Sequence, residues 1–90
     1  MYKLIETASY AKKIRKFLKK HPSIFKKYEK TIFFLETNPY HPSLRLHKIQ
    51  GSLSEYYSIS IDIECRIIID FIIIDDEIYL LDIGSHDEVY

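Results

Sequence analysis

Residues 57 to 83 read YSISIDIECRIIIDFIIIDDEIYLLDI and contain three runs typical of β-strands. Ser58 to Asp62 alternates polar and apolar residues with period two, Arg66 to Ile74 is almost continuously apolar, and Ile78 to Ile83 forms the third run. The adjacent carboxylates of residues 75 to 77 would repel one another in a core, so they indicate a solvated turn. We therefore predict an antiparallel meander whose middle strand is central and covered on both faces.

The segment before the meander predicts one strand and two helices. Tyr2 to Ile5 is a short strand candidate that would pair with the meander. Thr7 can cap a first helix, which His21-Pro22 ends because the residue before a proline is disfavoured in the helical region. Ser23 can cap a second helix, which ends at residues 37 to 39. Apolar residues at helical spacing give each helix one apolar stripe, and lysines surround the first stripe.

The remaining elements complete an α+β arrangement. Phe33 and Phe34 are expected to widen the apolar stripe of the second helix. Leu44 to Ile49 predicts another strand, followed by a turn at residues 50 to 52. Two helices joined by a few residues should form a hairpin that packs on one face of the sheet. The predicted fold is therefore a helical hairpin on a small, mainly antiparallel sheet, in the order β-α-α-β-β-β-β.

Size and composition predict a single domain over residues 1 to 90. Of the 90 residues, 47% are hydrophobic, which is enough for one modest core. No apolar run approaches the roughly 20 residues that span a bilayer, and the first residues do not form a signal peptide pattern. We expect a cytoplasmic protein that does not contact membranes. The single cysteine, Cys65, cannot form an internal disulfide and is typical of a buried hydrophobic residue, with a reactive thiol as the alternative.

The formal net charge of zero conceals a strong asymmetry along the chain. Residues 1 to 50 contain twelve Lys and Arg against three acidic residues, whereas residues 51 to 90 contain one Arg against ten acidic residues. The basic half could therefore face a polyanion, and the acidic half could face water or a basic partner. The alternative is that both are ordinary solvated surfaces.

Motifs for metal, cofactor or nucleotide binding are missing from the sequence. The four histidines have no close partner at helical spacing and there is no pair of cysteines, so we predict no metal site. The two glycines, Gly51 and Gly84, cannot make a phosphate-binding glycine loop or a nucleophile elbow. We expect no cofactor.

Four polar residues are instead predicted to cluster at one end and on one face of the sheet: His47, Glu64, Arg66 and His86. Imidazole can act as an acid or a base near neutral pH, and a guanidinium can neutralise a phosphate. Together they supply what RNA cleavage needs in the absence of a metal. The alternative is that His86 hydrogen-bonds Asp87 and that Arg66 pairs with Glu64.

Several runs of the sequence resemble the RelE/YafQ superfamily of type II toxin–antitoxin toxins. They are LHKIQGSL at 46–53, Tyr56-Tyr57, Arg66-Ile67-Ile68 and IGSHDEVY at 83–90. The resemblance implies ribosome-dependent cleavage of mRNA in the A site. The basic faces of the helices then have two candidate partners, ribosomal RNA and an acidic antitoxin segment. It also implies a cognate antitoxin protein and a toxin–antitoxin hetero-oligomer.

The same resemblance implies roles for individual residues. His86 would be the general acid, His47 or Glu64 the base, and Tyr90 the terminal aromatic that helps to hold RNA. Arg66 and Lys48 would hold and neutralise the scissile phosphate. Further contacts to RNA are expected from basic residues: Lys12, Lys13, Lys16, Lys20, Arg45 and Lys48.

Two residues depart from the family pattern and keep other functions open. Ser60 stands where YafQ-type members carry a second histidine, and Asp82 stands where a basic residue is common. An acidic residue at position 82 would disfavour a nearby phosphate. The alternatives are a ParE-like gyrase poison, or a degenerate toxin that only binds its antitoxin.

Overall fold

A computed structural model describes residues 1–49, 51, 55–72 and 75–85, and the elements follow the predicted order. The fold is α+β, with two helices packed on a five-stranded sheet, as the sequence predicts. The elements are β1 (Lys3–Glu6), α1 (Ala8–Lys20), α2 (Phe25–Thr37), β2 (His47–Lys48), β3 (Tyr57–Ser60), β4 (Cys65–Ile72) and β5 (Glu77–Ser85).

The sheet has the strand order β1-β5-β4-β3-β2, so the middle strand of the meander, β4, is central as predicted. β1 pairs with β5 in parallel, and the other neighbouring strands are antiparallel. Ile67, Ile68 and Ile69 are all at most 3% exposed, which confirms that β4 is covered on both faces. The register between β4 and β5 shifts between Ile68 and Ile69, where Leu81 is left without a partner.

The start of α1 is fixed to the sheet by Thr7. The Tyr10 N–H donates to the Thr7 hydroxyl oxygen at 3.4 Å, which satisfies one of the free amides at the helix start. The same hydroxyl donates to the Leu80 carbonyl oxygen of β5 at 2.8 Å. The predicted cap at Thr7 is confirmed, and the same side chain also links α1 to β5. The helix ends at Lys20, before His21-Pro22, as predicted.

The helices cover one face of the sheet with a single apolar core. Tyr10 is fully buried, and its hydroxyl lies 2.6 Å from the hydroxyl of Tyr28, which joins α1 to α2 within this core. Burial raises the pKa of both phenols. The other buried side chains of this core are mainly aliphatic: Ile14, Phe17, Ile24, Leu35, Leu44, Ile59, Ile61, Cys65, Ile67, Ile69, Ile78, Leu80 and Ile83.

Two expectations for α2 are wrong. Ser23 does not cap the helix, because Pro22–Ile24 form one turn of 3₁₀ helix and α2 follows directly without a side-chain cap. Phe33 does not widen the apolar stripe, since it is 59% exposed. The buried face of α2 is narrower than predicted and is centred on Thr31 and Leu35.

The strands before β4 also differ from the prediction. The strand expected over residues 44 to 49 is reduced to His47–Lys48, because residues 42 to 44 form a 3₁₀ turn and Arg45 has a left-handed backbone with φ of 49°. In β3, the polar residues Ser58 and Ser60 are buried, as is the isoleucine between them. Within the described residues, no helix combines the length and apolar character needed to cross a membrane.

Replacing Thr7 by alanine should lower the free energy of unfolding by about 1–2 kcal/mol, because both the cap and the hydrogen bond to β5 are lost. Urea unfolding followed by circular dichroism measures this change. Thr7→Ser keeps the hydroxyl and should stay close to wild type. An alanine variant as stable as the serine variant would show that the cap contributes nothing.

Candidate active site

The central strand presents alternate residues to the two faces of the sheet. Cys65, Ile67 and Ile69 belong to the core beneath the helices. Ile68 instead packs in a second cluster with Ile49, Tyr56 and Leu81. Because successive strand residues point to opposite faces, Arg66 lies with Ile68 on the face away from the helices. We call this the open face because no helix in the described part of the chain packs on it, although Ile68 and Ser58 there are buried.

The strand register brings a second predicted site residue to the open face. His47 of β2 pairs with Ser58 of β3, and Ser58 pairs with Ile68 of β4. Paired residues in neighbouring strands point to the same side of a sheet, so His47 shares the open face with Arg66. The structure therefore brings together two of the predicted site residues, with β3 lying between their strands.

The imidazole of His47 is exposed, and a backbone contact orients it. Its Nδ1 lies 3.1 Å from the carbonyl oxygen of Arg45. A carbonyl oxygen can only accept a hydrogen bond, so Nδ1 carries the proton and donates. In the neutral ring, Nε2 then holds the lone pair, which is the form that a general base requires. The left-handed backbone of Arg45 lies next to this contact.

Arg66 carries a charged guanidinium group with one buried hydrogen-bond donor, the Nε–H. The residue is partly exposed, but its Nε atom is buried and has no hydrogen-bond partner in the protein. On β5 its neighbour is Gly84, which has no side chain to cover the guanidinium, and on β3 its neighbour is Ser60. The fully buried hydroxyl of Ser58 likewise has no partner. Ser58 is not among the site residues predicted from the sequence, in which it is only part of a strand pattern.

Glu64 lies apart from these residues. It is exposed in the turn between β3 and β4, and it lines a cavity of about 240 Å³ together with Phe17, His21 and Cys65. This cavity lies on the helix side of the sheet, since Phe17 and Cys65 belong to the core beneath the helices. Among the described residues, no ion pair joins Glu64 to Arg66. The structure thus separates Glu64 from the open face.

The predicted RNA-binding residues occupy several surfaces. Lys48 pairs with Tyr57, which packs against the core beneath the helices, so Lys48 points to the opposite side from His47. Arg45 and the α1 lysines at positions 12, 13, 16 and 20 are exposed. His86 and Tyr90 lie outside the described residues.

Asp82 forms an ion pair that the sequence did not indicate. Lys13 Nζ of α1 donates to Asp82 Oδ1 of β5 at 2.6 Å, and both side chains are partly exposed. The pair compensates the acidic charge at the position where a basic residue was expected. It also engages one of the lysines expected to contact RNA. In the described ranges, no three His, Cys, Asp or Glu side chains are arranged to hold a metal ion.

Comparisons with known proteins identify the fold. No family model and no curated protein matches the sequence. A copper-bound mutant toxin from Helicobacter pylori matches with a TM-score of 0.76 and 26% identity, over 100% of both chains. YafQ in the Escherichia coli DinJ–YafQ toxin–antitoxin complex matches with a TM-score of 0.78 and 18% identity, over 99% of this chain and 97% of that one.

A YoeB/ParE toxin from Agrobacterium tumefaciens is also similar, with a TM-score of 0.72 and 16% identity over 93% of this chain and 98% of that one. The chain therefore matches the structures of RelE/YafQ-type toxins over its full length and shares their fold.

The Lys13–Asp82 pair should contribute little to stability, because both groups are partly exposed to solvent. In a double-mutant cycle with Lys13→Met and Asp82→Asn, we expect a coupling energy of about 0.2–1 kcal/mol that decreases as salt is added. Urea unfolding at low and high salt measures it. A matched cycle with Lys12→Met, which has no partner in the described structure, should give no coupling. A salt-independent coupling well above this range would mean that the pair is a structural constraint on the site.

Proposed function

We propose that this chain, which has the fold of RelE/YafQ toxins, is the toxin of a type II toxin–antitoxin system and cleaves mRNA bound to the ribosome. The observation that carries the proposal is the placement of His47 and Arg66 on the same open face. Their strands are separated only by β3, whose residues there are serines. A base and a cationic donor on the same face are two of the groups that a metal-independent cleavage needs.

In the proposed reaction His47 Nε2 removes the proton of an RNA 2′-hydroxyl, and the resulting oxygen attacks the adjacent phosphorus. The bond from phosphorus to the 5′-oxygen breaks, and His86 gives a proton to that oxygen. The products are a 2′,3′-cyclic phosphate and a free 5′-hydroxyl. Arg66 donates to the phosphate oxygens as negative charge develops on them. Glu64 is less suited than His47 to be the base, because it lies on the helix side. Tyr90 would hold the RNA.

The proposed partners follow from the fold and from the surface charge. The DinJ–YafQ complex pairs a similar chain with an antitoxin, so we propose that this chain also binds a cognate antitoxin. The exposed lysines of α1 can bind either an acidic antitoxin segment or ribosomal RNA. The proposed state is a single toxin domain that acts in the cytoplasm and is held inactive in a hetero-oligomer.

The Arg66→Ala variant should reduce mRNA cleavage by about 10²-fold or more, because a donor to the developing charge is lost. His47→Ala and His86→Ala should each reduce it by about 10²- to 10⁴-fold. Growth after induction and mapping of 5′ ends on ribosome-bound mRNA measure these effects. Arg15→Ala, which removes the same charge from the exposed surface of α1, should remain toxic. If Arg66→Ala and His86→Ala are as toxic as wild type, the mechanism is wrong.

Neutralising Lys12, Lys16 and Lys20 together should weaken binding to ribosomes and flatten its salt dependence, because fewer counterions are released. Single changes should have small effects, since each exposed charge contributes about 1 kcal/mol or less. Cosedimentation with ribosomes across a salt series measures both quantities. A matched triple variant at Lys26, Lys27 and Lys30 of α2 tests whether the location of the charge matters. Unchanged affinity and salt slope in the α1 variant would identify its lysines as ordinary solvated surface.

A second candidate is a module that binds without catalysis, either a gyrase poison or a degenerate toxin. The separation of Glu64 from the open face and the absence of an imidazole at Ser60 favour it, since both reduce the set of acid–base groups. Toxicity with intact mRNA and broken DNA would identify a gyrase poison. No toxicity at all would identify a degenerate toxin.

A further inference from the structure

We infer that the hydroxyl of Ser58 and the Nε–H of Arg66 together form a subsite that binds a phosphate oxygen on the open face. That the phosphate belongs to RNA rests on the proposed function, whereas the subsite itself rests on geometry and chemistry. Ser58 would then be a binding residue that the resemblance to known toxins did not indicate.

These two groups differ from the other buried polar groups in the described structure. Ser58 Oγ and Arg66 Nε are the buried side-chain atoms there that lack a hydrogen-bond partner. By contrast, the Ser60 hydroxyl donates to the Asp62 carbonyl oxygen at 2.6 Å, and the Thr31 hydroxyl donates to the Lys27 carbonyl oxygen at 2.8 Å. Unpaired buried donors cost folding free energy, so a pair of them at one place calls for a ligand that satisfies both.

The strand register makes the two groups neighbours. Ser58 pairs with Ile68 and Ser60 pairs with Arg66, so Ser58 and Arg66 are diagonal neighbours on the open face. Diagonal Cβ atoms in such a pair lie about 7–8 Å apart, within reach of a long side chain. One small ligand between them can contact both groups.

The donors identify the ligand as an anion with an exposed oxygen. The Arg Nε atom can only donate, and a serine hydroxyl can donate as well as accept. The shared ligand must therefore be an acceptor, and the permanent charge of the guanidinium excludes a cation. Phosphate oxygens accept strong hydrogen bonds from Arg. Because Ser58 is fully buried, the phosphate reaches its hydroxyl only when the side chains covering it move.

Binding can be measured without any cleavage step. The chain has three arginines, Arg15, Arg45 and Arg66, so their Nε–H signals can be resolved and assigned by ¹H–¹⁵N NMR. We would titrate wild type with inorganic phosphate and with a short RNA carrying 2′-O-methyl groups, which cannot be cleaved. The Arg66 signal should shift with both probes. Tighter binding of the RNA would identify a phosphodiester as the ligand, and equal binding would identify free phosphate.

Ser58→Ala should weaken both titrations about tenfold, because one hydrogen bond to the anion is lost. Ser60→Ala is the matched control on the same strand and should leave the affinity unchanged. The two variants should also differ in melting temperature. Ser58→Ala removes an unpaired buried hydroxyl and should maintain or raise it, whereas Ser60→Ala loses a hydrogen bond and should lower it.

The inference is overturned if the Arg66 signal does not respond to either probe, or if Ser58→Ala binds both as tightly as wild type. These results are separable from the test of the proposed function. If the protein cleaves mRNA but Ser58→Ala binds both probes as tightly as wild type, only the subsite is contradicted. A chain that binds phosphate through Ser58 but leaves mRNA intact would contradict the proposed cleavage alone.

Discussion

The burial of β4 on both faces is the constraint on which the rest of the structure depends. Ile67 and Ile69 lie in the core beneath the helices, and Ile68 lies in the smaller cluster on the open face. A slip of one residue would exchange these faces, so hydrophobic burial fixes the register strongly. The same register places Arg66 on the open face, next to a glycine and diagonal to Ser58. The position of the candidate site is thus determined by apolar residues that take no part in the proposed reaction.

Much of this fold could be predicted because its signals are local. The order of elements, the cap at Thr7, the stop at His21-Pro22 and the central position of β4 all follow from periodicity and from the chemistry of single residues. The errors occur where the local backbone departs from a regular helix or strand. A 3₁₀ turn replaces the cap at Ser23, and the left-handed backbone of Arg45 shortens β2, neither of which a propensity or an alternation pattern indicates.

The candidate site was less predictable than the fold. His47 and Arg66 were expected to cluster and share a face, but the helix-side position of Glu64 depends on how the turn between β3 and β4 meets the helices. The contact between Lys13 and Asp82 joins residues that are 69 positions apart. It also shows that the basic and acidic halves of the chain meet in space. The pair neutralises one lysine of the basic half against one aspartate of the acidic half.

The two unpaired donors on the open face reduce the stability of the fold, but they can bind a ligand. By contrast, the buried hydroxyls of Ser60 and Thr31 donate to backbone carbonyl oxygens a few residues away along the chain. Ser58 lies in the middle of a strand whose carbonyl groups are engaged in the ladder, and its neighbours across the strands are His47 and Ile68. An alanine there would avoid the cost of an unpaired hydroxyl. Natural proteins break the rule that buried polar groups have partners mainly at functional sites. The two unpaired donors therefore argue that the open face binds a ligand.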